Sequence, residues 1–590
     1  MLKRSDFPAT APPTLQCDVL VLGSGAGGLS TAVTAATLGL SVIVCEKEDV
    51  FGGTTAWSGG WMWIPRNPLA TRAGIVERAD VPRTYLENEL GAQFDAAKAD
   101  ALMEHGPRMI EFFERNTSMR FIDGNRVPDF HTTQGAATGG RSVCAMPFDA
   151  RELGPLIDTL RPPLREMTVN GMAIASGQDL AHFFNATRSV RSAWHVTKRI
   201  ATFAVHTLRY GRSMQLVNGN ALVARLLKSA ADHGVRLTTR ARAVGLVRDG
   251  VRVSGADVEI DGALHRISAR RGVVLACGGY PHDRTRRAQT FAYTPSGNEH
   301  WSAAPHGNTG DGIRMGEAAG ARFDASGAAP AAWAPVSLVP KGDGEPVAFA
   351  HLVERAKPGV IAVTRAGRRF LNEASSYHDF MAALIRVTRP GDEVCAWLVC
   401  DHRFQRRYGL GFAKPFPFAL APYERSGYLQ TAPTIEALAQ RCGIDACGLS
   451  ETIATYNAHA THGRDPAFHK GSTPYNRAQG DASHGPNPCV APIVDGPFHA
   501  VKVLPGSLGT FAGLATDARA RALDPHGAPV PGLFAVGNDA ASMMGGHYPA
   551  GGITLGPAMT FGYLTGHELA RPSHGEAVAA ASSFNQARTL

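Results

Sequence analysis

The run CDVLVLGSGAGGLSTAVTAATLGLSVIVCEK, residues 17–47, reads as strand, glycine-rich turn, helix and second strand. CDVLVLG and SVIVCEK are unbroken apolar runs of the kind buried on both faces in a parallel sheet, and 30–40 has alanine-rich helical spacing between them. In Gly23-x-Gly25-x-x-Gly28 the first glycine permits the tight turn, and the second lets the backbone approach a pyrophosphate. The third lets helix and strand pack closely. Glu46 ends the second strand, where an acid accepts hydrogen bonds from a ribose hydroxyl. Together these features predict a dinucleotide site.

Further along, 96–120 and 196–216 have helical patterns, and 128–141 (PDFHTTQGAATGGR) reads as loop. Residues 218–249 read as helix then strand and run into the meander VRVSGADVEIDG. RRGVVLACGG (270–279) is another buried strand, ending in paired glycines. The character then changes over 290–490, which carries many prolines, several Trp residues and irregular polar loops, before strand-like runs return as FHAVKV and GLFAVG. The pattern predicts an α/β fold. A Rossmann-like nucleotide domain is built from both chain ends, 15–289 and 496–575, around an inserted α+β substrate domain, 290–495. Residues 1–14 and 576–590 read as flexible ends.

A chain of 590 residues, 44% hydrophobic with 65 glycines, fits a loop-rich enzyme rather than a disordered or fibrous protein. The net charge of +8 is scattered, so nucleic acid is not indicated as a partner. Nine cysteines without a Cys-x-x-Cys pair predict reduced structural thiols in a cytoplasmic protein. The 22 histidines form no ligand-spaced cluster, so no metal is expected. The first residues, MLKRSDFPATAPPTLQ, carry no apolar core of a secretory signal, and no apolar run approaches bilayer length. The basic helix at 196–216 reads as a solvated face, with contact to a membrane surface as the alternative, so any membrane association is at most peripheral.

The stretch VGNDAASMMGGHYPAGGITLGPAMTFGYLTG (536–566) answers the N-terminal signature with an apolar run, a glycine-rich loop and a helix start. Its small residues leave backbone N–H groups accessible around one phenol, Tyr548. Residues 51–60, FGGTTAWSGG, resemble the second flavin-contacting loop of the succinate dehydrogenase/fumarate reductase flavoprotein superfamily. The motifs Thr309-Gly-Asp-Gly312 and Ala276-Cys-Gly-Gly279 also match that superfamily. The resemblance implies FAD as cofactor. Contacts are implied at Gly23, Gly25, Ala26, Gly28, Glu46, Lys47, Gly53, Thr54, Thr55, Ser58, Gly59, Gly60, Gly278, Asn538, Gly552 and Leu555. No second complete GxGxxG marks a stable NAD(P)H site, and no motif specifies the electron acceptor.

Within the superfamily, fumarate reductases have a stretch similar to Arg368-Arg369-Phe370-Leu371-Asn372-Glu373, but place their catalytic arginine where this chain has Tyr377. Their dicarboxylate-clamping arginine aligns with Pro549. A dicarboxylate needs fixed cations, so succinate and fumarate are disfavoured. A flavin fumarate or enoate reductase remains the alternative of another class. The C-terminal loop instead resembles that of the 3-ketosteroid dehydrogenases, from Gly537-Asn538 through Tyr548-Pro549 and Gly552 to Gly556-Pro-Ala-Met-Thr-Phe-Gly562-Tyr563.

That resemblance implies that Tyr548 O–H and the Gly552 N–H hold the carbonyl oxygen, each donor worth roughly 3–4 kcal/mol at the transition state. It also implies that Tyr377 removes the α-proton while FAD N5 takes the hydride. Δ1-Dehydrogenases carry a helper tyrosine before a Gly-Gly-Arg triplet. Here Asp129-Phe130-His131 precedes Gly139-Gly140-Arg141, so either Asp129 or His131 takes the helper's place, or the ring position oxidised differs. His547 either lines the pocket or orients Tyr548. The implied reaction is 3-ketosteroid 1-dehydrogenation, with 4-dehydrogenation of ring-A-saturated ketosteroids or desaturation of a smaller cyclohexanone as alternatives.

Overall fold

The computed structural model describes residues 14–342 and 344–572, so the ends expected to be flexible lie outside the described residues apart from Thr14. Two sheets organise the chain. In the first, the strands Pro529–Ala535, Ala263–Leu275, Thr14–Leu22, Val42–Cys45 and Arg236–Thr238 lie side by side and parallel. Antiparallel additions are Arg521–Leu523 at one edge and the meander Ala241–Asp249, Arg252–Ile260 on Ala263–Leu275. The apolar runs are central because both their faces are covered: Val19, Leu20, Val21, Val273 and Val274 are fully buried.

Parallel pairing sends the carboxyl ends of these strands to one edge. Gly23 N–H donates to the Cys45 carbonyl (2.8 Å), Ala276 N–H to Leu22 (2.8 Å) and Val536 N–H to Leu275 (2.9 Å). Segments from opposite ends of the sequence are thereby brought into contact at the crevice where α/β sheets bind ligands. The helix Ala26–Thr37 then packs against the C-terminal helix Leu555–Ala570 through glycines. A Cβ on Gly562 would lie 2.5 Å from the Gly27 carbonyl oxygen, and one on Gly566 would lie 2.6 Å from the Thr34 Cβ. Ser30 Oγ donates to the Met559 carbonyl (2.7 Å) across the same contact.

The second sheet runs Gly344–Ala350, Ala331–Lys341, Phe498–Thr510, Ala396–Cys400 and Val360–Val363, with Trp301–Ser302 and Gln430–Ala432 also paired to Phe498–Thr510. The returning chain thus gives its first strand, Phe498–Thr510, to the second sheet. It joins the first sheet only at Arg521–Leu523.

Beneath the second sheet lies a buried ionic knot. Arg369 donates to both Glu373 oxygens (2.7 and 2.8 Å) and both Asp465 oxygens (2.8 and 2.9 Å), and the buried Lys470 ammonium lies 3.5 Å from Glu373. Burial opposes the Glu373 charge, but Arg369 and Lys470 hold its carboxyl below the usual range. The Arg-Arg-Phe-x-Asn-Glu stretch is therefore a fastening that fixes the backbone just before Tyr377. Glu373→Ala leaves two buried cations short of an acid and should lower stability by about 3–5 kcal/mol. A urea unfolding midpoint close to wild type would refute that role.

Candidate active site

A single cleft of about 2360 Å³ runs from the carboxyl edge of the first sheet to the second sheet. That exceeds the ~300–1,000 Å³ of a single small-ligand pocket, leaving room for a cofactor and a substrate together. Every residue named above as a cofactor contact, and Tyr377, Tyr548 and Gly552, line it.

At the sheet edge, Gly25 precedes helix Ala26–Thr37 without a side-chain cap, so first-turn amides face the cleft. A Cβ on Gly25 meets only Thr55 Oγ1, at 3.6 Å, and otherwise enters open cleft space. Gly23, at φ +106, admits no side chain, because its Cβ would lie 2.2 Å from the Ala276 oxygen. Glu46 is buried and accepts from Ser24 Oγ (2.5 Å), Ser24 N–H (3.2 Å) and Glu48 N–H (3.1 Å); burial raises its pKa against these bonds. The polar loop residues brace one another. Thr55 Oγ1 accepts from Ala26 N–H (3.0 Å), Asn308 Nδ2 donates to Thr54 Oγ1 (2.9 Å), and Lys47 reaches Asp311 (2.5 Å) and Thr309 (3.0 Å).

Deeper in, four aromatic rings meet. Tyr377 and Tyr548 cross edge to face with centroids 5.0 Å apart. Phe130 stacks on Tyr548 at 5.7 Å, crosses Tyr377 at 5.7 Å, and lies 4.5 Å from Tyr475. Tyr548 sits in a loop fixed from behind, where the Pro549 carbonyl accepts from Tyr85 O–H (2.6 Å) and Phe130 N–H (2.9 Å). Gly552 has φ +98 and its carbonyl accepts from Trp63 N–H (3.1 Å). A Cβ there would lie 2.7 Å from Trp61 backbone atoms, so only glycine fits. No acceptor among the described residues pairs with the Gly552 N–H.

Tyr377 is the first residue of the helix Tyr377–Val387, capped by Ser376 Oγ, which accepts from Asp379 N–H (3.1 Å). Its ring crosses that of Tyr548, and burial pushes both phenols above their ordinary value. Two features work against that rise at Tyr377. The helix N-terminus favours an anion there, and the buried Arg355 guanidinium lowers both Tyr377 and Tyr475. Arg355 is tied to the same backbone, donating to the Glu373 (2.7 Å) and Ser375 (3.1 Å) carbonyls.

The neighbours of these tyrosines point elsewhere. Asp129 accepts from Trp63 Nε1 (2.9 Å) and Arg141 (2.5 Å), and His131 is held between Glu89 and Asp379, 2.9 Å from the latter. Burial opposes the His131 charge, but the two carboxylates hold its pKa up to about 10. Neither residue lines the cleft. Phe130, between them, does, so an aromatic ring and neither of the two polar residues faces the cleft here. His547 does not line the cleft either, and His378 accepts from Trp333 N–H (3.2 Å), its pKa lowered to about 4 by burial.

Tyr475 is the residue that sequence reasoning missed. It sits in Pro474–Gln479, a short helix in the irregular part of the chain, and Asn476 carries it to the site. Asn476 Nδ2 donates to the Ala374 carbonyl (2.9 Å) and Asn476 Oδ1 accepts from Asn372 (2.9 Å), just before Tyr377. A phenol beside a helix-initiating Thr-Pro carries no local signal of this placement.

The model of the FAD binding domain family matches residues 18–555. The chain belongs to this family. It is 40% identical over 562 residues to 4-oxocyclohex-2-ene-1-carboxylate 5-dehydrogenase of Sinomonas cyclohexanicum, covering 95% of this chain and 94% of that one. It is 35% identical over 565 residues to 3-oxosteroid 1-dehydrogenase of Mycolicibacterium smegmatis, covering 94% and 97%. The crystal structure of 3-ketosteroid delta1-dehydrogenase from Sterolibacterium denitrificans with 1,4-androstadiene-3,17-dione superposes with a TM-score of 0.87, at 36% identity, over 94% of this chain and 99% of that one. The protein is thus an FAD-dependent oxidoreductase, as its motifs imply. The helix start without a side-chain cap from Gly25, the buried acid at a strand end and the side-chain-free space at Gly25 all fit that cofactor. Gly25→Val meets no protein atom that would bar folding, so it should give folded protein without flavin absorbance; a yellow, active variant would overturn this placement of the pyrophosphate.

Proposed function

We propose that this flavoprotein introduces a C=C bond beside the carbonyl of a six-membered cyclic ketone, with a 3-ketosteroid at C1–C2 as substrate and position. The convergence of Tyr548, the unpaired Gly552 N–H and Tyr377 on one aromatic wall carries the reading. Tyr548 O–H and the Gly552 amide hold the carbonyl oxygen as it gains negative charge. Tyr377 receives the α-proton, and the buried Arg355 charge favours its phenolate form. FAD, when bound, supplies the hydride acceptor for the β-carbon.

The 40% identity to the oxocyclohexenecarboxylate enzyme favours a second reading, in which the same enone ring carries a carboxylate. The superposition on a 3-ketosteroid dehydrogenase supports the ketosteroid as the first reading, while cations able to pair a carboxylate, Arg126, Lys357 and Lys414 among them, line the same cleft. Anaerobic titration separates them: flavin bleaching by androst-4-ene-3,17-dione with a 1,4-diene product supports the first, and bleaching by the carboxylate alone supports the second. Bleaching only by a ring-A-saturated ketosteroid moves the position to C4–C5.

We also propose the two-domain division 15–289 with 496–575 around 290–495, with Phe498–Thr510 assigned to the insert because its hydrogen bonds lie there. All nine cysteines are free thiols, which supports a cytoplasmic location.

Tyr548→Phe should retain FAD and lose at least ~100-fold in turnover; activity near wild type would remove Tyr548 from the oxyanion hole. Because burial keeps Tyr377 protonated at neutral pH, and the base must lose that proton, kcat/KM should climb with pH toward and past the ordinary phenol value of ~10. A profile flat from neutral to alkaline pH would exclude Tyr377 as the base.

A further inference from the structure

The helix Val190–Tyr210 turns apolar side chains outward. Val190, Trp194, Val205 and Leu208 are 90%, 72%, 59% and 89% exposed. At 3.6 residues per turn they fall, with Ala201, within about 60° of one another around the axis. Arg191, Lys198 and Arg209 flank one border of this stripe, and between Asp179 and Asp232 the chain contains no acidic residue.

The exposure does not come from a detached helix. Its inner side is moored, His195 Nε2 to Asp179 Oδ1 (2.6 Å), Arg199 to the Ala173 carbonyl (2.9 Å) and Ser192 Oγ to His182 (3.0 Å). Val196 and Ile200, on flanks away from the stripe's centre, line the active-site cleft together with Phe183 and Phe184. Among the described residues no helix is long and apolar enough to cross a membrane. At 21 residues this one is about 30 Å long, suited to lying in a surface.

We propose that this helix docks the enzyme on an anionic phospholipid surface. Val190, Trp194, Val205 and Leu208 enter the acyl boundary, and Arg191, Lys198 and Arg209 meet the headgroup phosphates. The rim chooses the occupant. A second copy would bring two all-basic rims together, whereas anionic lipid complements both the stripe and its border. The cleft then opens beside the bilayer, so an apolar ketone dissolved in lipid reaches the rings without crossing water. That last step rests on the ketone reading; the docking does not.

The test is sedimentation of the flavin-loaded protein with vesicles of phosphatidylcholine, with and without phosphatidylglycerol. Wild type should pellet with the anionic vesicles, less so as salt rises. The triple variant Val190→Ser, Trp194→Ser, Leu208→Ser should lose at least ~10-fold in partition. The triple variant Arg191→Glu, Lys198→Glu, Arg209→Glu should lose the preference for phosphatidylglycerol. Both should keep wild-type turnover of a water-soluble cyclohexenone and fall behind wild type only on a vesicle-held ketosteroid. Wild type remaining in the supernatant, or the serine variant pelleting as wild type does, would overturn the docking. A dimeric mass by light scattering that the serine variant abolishes, without vesicle binding, would overturn it in favour of a second copy. Vesicle binding with no ketone turned over would leave the docking standing and sink the catalytic reading alone.

Discussion

One buried carboxylate holds the two halves of the active site to each other. Asp539 is fully buried, and its oxygens accept from Cys277 N–H (2.6 Å) and Gly279 N–H (2.9 Å). The chain leaves the first sheet at 276–279 and returns to its edge at 536–539, so this carboxylate closes the neck of the long excursion between them. Burial raises its pKa to about 6 and the two amides pull it back, so the contact balances desolvation against charge-assisted hydrogen bonds. Everything after it in the chain takes its position from here: the Tyr548 loop, the Gly552 peptide and the glycine-packed C-terminal helix.

The same economy appears at the other phenol. Tyr377 is placed by backbone that the Arg369–Glu373–Asp465 knot and Arg355 fix from beneath. The Arg-Arg-Phe-x-Asn-Glu stretch serves here as scaffold, and it positions the helix-start phenol that we propose as the base. Cations stand behind the aromatic wall rather than in it, which shapes the field at Tyr377 and Tyr475 while leaving the wall apolar.

The first sheet was legible in the sequence because its strands are short apolar runs with glycine punctuation, and its ligand edge follows from parallel pairing alone. Tyr548 and Gly552 were legible because their loop is long and locally distinctive. Tyr475 was not, since it reaches the site through Asn476 and Asn372, a hydrogen bond between residues about a hundred positions apart. Phe130 was passed over for its polar neighbours, which are consumed by Arg141, Glu89 and Asp379. The allegiance of Phe498–Thr510 was equally hidden. An apolar strand looks the same whichever sheet takes it, and only its partners decide.

That strand has a consequence for biosynthesis. Ala331–Lys341 and Ala396–Cys400 both pair with Phe498–Thr510, and Ala263–Leu275 awaits Pro529–Ala535. A ribosome that has released the first five hundred residues has therefore delivered neither sheet complete, and the nascent chain presents open strand edges in both. Completion of both sheets is gated by the stretch from 498 to 535. Protection of those edges falls to whatever accompanies the chain until then.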